Sequence, residues 1–67
     1  MAVARVTEIT ASSPDSFQAA FEAGIDRANK TLRNITGAEI IAQKAKIEGG
    51  KIAEYRVQMK VTFILED

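Results

Sequence analysis

The chain contains no cysteine, no histidine and no tryptophan. Without cysteine no disulfide can staple a small fold, and without cysteine or histidine no zinc site of the usual sulfur and nitrogen ligands can be built; only a hard cation held by oxygens is left. The missing histidine removes the side chain whose ordinary pKa lies near neutrality, and the missing cysteine removes a thiolate nucleophile. No serine or lysine stands in a recognisable activated context, so the reading is not an enzyme. Net charge is lacking as well: nine Lys and Arg balance nine Asp and Glu, which offers no positive field for phosphate backbones and makes nucleic acid an unexpected partner. No apolar run approaches the roughly 18 residues of a membrane span, and the start MAVARVTEIT lacks the apolar core of a signal peptide. No membrane partner is expected, and the cytoplasm is the expected compartment.

What is present begins with an alternation. From Ala53 to Leu65, the residues Ala53, Tyr55, Val57, Met59, Val61, Phe63 and Leu65 point one way, and Glu54, Arg56, Gln58, Lys60 and Thr62 point the other. A period of two over that length predicts a strand, which at about 3.3 Å per residue spans roughly 43 Å. Val3 to Ile9, rich in Val, Ile and Thr, suits a first strand. The run Ser12-Ser13-Pro14-Asp15-Ser16-Phe17 then predicts a helix start, with Ser13 as cap, Pro14 in the first turn where its missing donor is idle, and Asp15 at the positive end of the dipole. Phe17, Ala20, Phe21, Gly24, Ile25, Ala28 and Leu32 form one apolar stripe at helical spacing. Arg27, Lys30 and Arg33 crowd the expected last turns, and Asn34 and Gly37 bound the exit, for a helix of twenty-odd residues spanning about 30 Å.

By period alone, residues 38–47 fit helix or strand. The following Glu48-Gly49-Gly50-Lys51 is a tight-turn signal and makes them the first arm of a hairpin. The order is then strand, helix, strand, strand within a single domain over 1–67: an α+β protein whose three-stranded antiparallel sheet has a helix on one face and nothing on the other. A chain of this size has a marginal core, so the uncovered face is expected to meet further copies or a ligand.

Four pieces together resemble the dodecin family: Ser12-Ser13-Pro14-Asp15-Ser16-Phe17, Lys30-Thr31-Leu32-Arg33-Asn34, Ile47-Glu48-Gly49-Gly50-Lys51-Ile52, and Glu54 through Phe63. The likeness runs from about Val3 to Leu65. It implies a β1-α-β2-β3 protein whose long hairpin curls around the helix, assembled as a hollow homododecamer. It also implies a non-enzymatic storage or binding role toward flavins such as FMN or riboflavin, with coenzyme A, an ion or no small ligand as alternatives. In such proteins an aromatic after the helix, usually Trp, stacks on the flavin ring, and a Gln on the last strand bonds its polar edge. These positions fall here on Gly37 and Arg56, which with Gln58 are the candidate ligand residues.

Each candidate has a plainer use. Gly37 can end the helix or permit a bend. Arg56 can pair with Glu54 or with a neighbouring subunit's carboxylate, and the row Arg56, Gln58, Lys60 can be a solvated strand face. Asn29-Lys30-Thr31 and Asn34-Ile35-Thr36 match the glycosylation sequon by chance, Glu22 with Asp26 reads as a solvated charge pattern, and Gly49-Gly50 belongs to the turn.

Overall fold

The computed structural model describes residues 2–65; the outermost residues of the expected 1–67 domain lie outside them. The order is β1 (Ala4–Ser13), α1 (Phe17–Ala28), β2 (Ile35–Glu48) and β3 (Lys51–Ile64). All strands are antiparallel in the order β1-β3-β2, so the alternating segment foreseen from the sequence is the central strand. Val57, Met59 and Val61 project from it toward the helix and are fully buried with Ala20. Ile9, Ala11, Phe17, Phe21, Ile25, Leu32 and Ile35 close around them. The ring of Phe17 meets that of Tyr55 edge to face at 5.0 Å.

Several boundaries differ from the sequence reading. β1 runs on to Ser13, which pairs with Tyr55, because carrying the ladder further buries more backbone than an early turn would. The helix therefore starts later, and its cap is Ser16, not Ser13: the Ala19 N–H donates to the Ser16 Oγ at 2.9 Å. Ser13 is buried and accepts from the Asp15 N–H at 3.0 Å, bracing the turn. Asp15 lies ahead of the helix, whose first turn carries no acidic residue.

The helix is also shorter than expected. It ends at Ala28, and bonds from the N–H groups of Thr31 and Leu32 to the Ala28 carbonyl turn the chain away, so Lys30, Leu32 and Arg33 belong to the exit. Leu32 reaches the core from that turn. Asn34, in the left-handed region at φ 62°, completes the reversal. Gly37 is not at the helix exit; it lies inside β2, which is longer than residues 38–47 at both ends. At the hairpin, Gly49 and Gly50 have φ of 58° and 78°, the pair of positive values that a type I′ turn requires.

Twelve helical residues span about 18 Å, whereas the 14 residues of β2 or β3 reach about 46 Å. The helix covers β1 and β3 near their middle, and the hairpin end projects past it in a molecule 51 Å long. The mismatch exceeds the sequence expectation, and among the described residues nothing covers the opposite face of the sheet. No helix among the described residues is long and apolar enough to cross a membrane.

Candidate functional site on the outer sheet face

Side chains alternate across a strand, so residues paired with Arg56, Gln58, Lys60 and Thr62 share the face turned away from the helix. The register sets up cross-strand rows there. Ser12, Arg56 and Lys44 form one; Thr10, Gln58 and Ala42 form the next; Glu8, Lys60 and Glu39 follow, and then Val6, Thr62 and Gly37. Two of these rows depend on bulges in β2 at Thr36 and Ile41, each of which inserts one unpaired residue and restores the facing of the next. A third irregularity leaves Ala53 unpaired, so Ala53 does not continue the alternation and is exposed at the hairpin end. Leu65 lies just beyond β3 and is exposed as well.

Arg56 and Gln58 are near neighbours, and each is held by a carboxylate. The Arg56 Nε donates to the Glu54 Oε1 at 2.7 Å, and the Gln58 Nε2 donates to the Glu8 Oε1 at 2.5 Å. The hydrogen bond from Arg56 is the main cause that holds the Glu54 carboxyl below its ordinary value; partial desolvation opposes it, and the charges of Arg56 and Lys46 with the Ser12 hydroxyl add to it. Gly37 lies apart. It sits opposite Thr62, six residues along β3 from Arg56 and so roughly 20 Å away. One flat ligand cannot touch both residues of a single copy.

The polar groups on this face can bond the polar edge of a small molecule or an anion. Among the described residues no aromatic stands on this face as a stacking wall: Phe17 and Phe21 lie on the helix, and Tyr55 and Phe63 follow the helix-facing alternation of β3. A Cβ built on Gly37 meets nothing within 4 Å, so the space an aromatic would use is open.

Sequence reasoning passed over a groove of about 540 Å³ between α1 and β1, lined by Ile9, Ala11, Ala23, Gly24, Arg27 and Leu32 among others. The only sequence sign of it is the run of small residues Ala23 and Gly24 on the helix flank.

A three-stranded antiparallel sheet with one helix on one face and a polar outer face defines a class of small α+β proteins, and comparison with known proteins identifies which family. The Dodecin family model matches residues 3–66, and the chain belongs to the dodecin family. It is 32% identical to the dodecin of Thermus thermophilus over 65 residues, covering 97% of this chain and 94% of that one. The dodecin structure from Streptomyces davaonensis superposes with a TM-score of 0.95 at 36% identity, covering 98% of this chain and 97% of that one. The dodecin from Streptomyces coelicolor gives 0.95 at 35%, with 98% and 94% covered. At the level of the family, these are small flavin-binding or storage proteins.

Proposed function

We propose that the protein is a non-enzymatic binding or storage protein that works as a hollow shell of twelve copies, with a small ligand held where outer sheet faces of different copies meet. The observation that carries this reading is the separation of Gly37 and Arg56 on a face that none of the described residues covers. Both positions can reach one ligand only if two copies contribute, one from each end of the face. The family supports a flavin, FMN or riboflavin, as that ligand. The open space at Gly37 makes the grip on the ring loose, because the large flat contact of an aromatic is replaced by none.

Native mass spectrometry at micromolar concentration, combined with the visible absorption spectrum, tests both halves. The expected species is about 88 kDa, twelve times the 7.3 kDa chain, and it takes up added flavin with quenching of flavin fluorescence. A monomer or dimer alone would overturn the shell; a full shell that leaves flavin fluorescence unchanged would overturn the flavin.

A further inference from the structure

The groove between α1 and β1 lies on the helix side of the sheet, away from the outer face, and its lining divides by chemistry. Ile9, Ala11, Gly24, Ala28 and Leu32 give it an apolar floor. Gly24 and Ala28 are buried, while Ile9 and Leu32 are only half-buried and keep apolar surface turned to it. Its volume of about 540 Å³ falls in the range of roughly 300–1,000 Å³ in which small-molecule sites occur. Arg27, exposed at the rim, is the one charged residue among the described residues that line it. One turn back along the helix stand Ala23 and Gly24, and the chain leaving the helix brings Lys30 and Thr31, so no carboxylate occupies the places where a helical ion pair would form. From β1, the alternation of the strand sends Glu8 to the outer face, where it bonds Gln58. The Arg27 guanidinium carries no ion pair or side-chain hydrogen bond among the described residues.

We propose that this groove is a second binding site, one for each chain, that takes a small aliphatic carboxylate. The hydrocarbon body lies along the apolar floor, and the carboxylate meets the Arg27 guanidinium, whose planar fork of donors matches two carboxylate oxygens. A single cation at the rim fits a singly charged head, and the groove has no room for the paired long chains of a membrane lipid. Burial of each methylene of such a chain strengthens binding about three- to fourfold, so affinity rises with chain length until the groove is full. The site is separate from the outer sheet face and stands whether or not a flavin binds there.

Calorimetric titration of the intact oligomer with octanoate and with octanol, both below the concentration at which they self-associate, tests it. Octanoate is expected to bind about tenfold more tightly than octanol at low salt, the worth of a charge-assisted hydrogen bond, and the advantage shrinks as salt rises. Arg27→Gln keeps the apolar stem but loses the charge, so it abolishes the octanoate advantage and leaves octanol binding in place. Ala23→Leu, at an exposed position of the groove lining, narrows the groove and weakens both compounds. Arg33→Gln, on the helix exit, changes neither. In the wild type, methyl resonances of Ile9 and Leu32 shift on addition of octanoate, a readout that needs no variant. Equal affinity for octanoate and octanol overturns the carboxylate at Arg27. Octanoate that FMN displaces, with no shift at Ile9 or Leu32, sits on the outer face and overturns the groove site while leaving the flavin reading intact. Binding of neither compound by the intact oligomer overturns the proposal and points to a second copy closing the groove.

Discussion

Gly24 of the helix lies so close to Met59 of the central strand that a Cβ on residue 24 would stand 2.6 Å from the Met59 Cε and 3.0 Å from the Ala11 Cβ. At this point the Met59 side chain of the sheet lies against the bare backbone of the helix, which adds no side chain of its own. Met59 is fully buried and fills the space that a larger residue 24 would need. Gly24→Ala sets a gain of about 1 kcal/mol in helix propensity against displacement of the flexible Met59 tip and a tight Ala11 contact, so its stability is expected within about 1 kcal/mol of wild type. Gly24→Val cannot be accommodated by moving one methyl group and is expected to lose about 1–3 kcal/mol in urea denaturation. Equal stability of the two variants would show that helix and sheet are less closely packed.

Removing the helix cap should affect the residue that the structure, rather than the sequence pattern, identifies. Ser16→Ala is expected to destabilise by about 1 kcal/mol, because the Ala19 N–H loses its acceptor, whereas Ser16→Asp retains an acceptor and adds a favourable charge. The denaturation midpoints of the two variants give the answer. A neutral Ser16→Ala would place the cap elsewhere.

Glu54 titrates below its ordinary value because of the hydrogen bond from Arg56. With the folded pKa depressed, its contribution to stability is present above the unfolded value and is lost as pH falls through the folded one. About a third of the side chain is open to solvent (34%), which screens the interaction and keeps this loss small, and the direct measurement is an NMR titration of the carboxyl carbon. The expected midpoint lies below that of an unstructured glutamate and moves upward in Arg56→Gln. A midpoint unchanged by that substitution would remove Arg56 as the cause.

Gly37 has an ordinary negative φ and open space at its Cβ, so Gly37→Trp is expected to fold normally and to supply a ring face. Riboflavin carries no phosphate and reports on this wall alone. Its affinity is expected to rise by up to about tenfold, measured by fluorescence quenching. An unchanged affinity in an intact oligomer would mean that no flavin ring lies against residue 37.

The parts legible in the chain itself are those governed by near neighbours. The alternation of Tyr55, Val57, Met59, Val61 and Phe63 encodes a strand with one buried face, since a period of two admits no other regular structure. The stripe from Phe17 to Ala28 encodes the helix, and Gly49-Gly50 encodes the hairpin, because a type I′ turn needs two residues free to take positive φ. The chemistry of the candidate residues was legible to the same extent: Gly37 offers no ring face and Arg56 carries a charge wherever the fold puts them.

The tertiary structure decided what depends on partners remote in sequence. Ser13 and Ser16 are equally good caps locally; pairing of Ser13 with Tyr55 carried β1 past the first and left the second to cap the helix. Likewise, Asn34 and Gly37 both read as helix stops, yet the helix ends earlier, at Ala28, and Leu32 joins the core from the turn that follows. The outer face was the least legible. Opposition of Lys44 and Arg56, and the distance that keeps Gly37 away from both, follow from register and from bulges at Thr36 and Ile41. A one-residue slip reverses the facing of every later side chain, so these relationships arise from the pairing energy of whole strands and are written in no local segment.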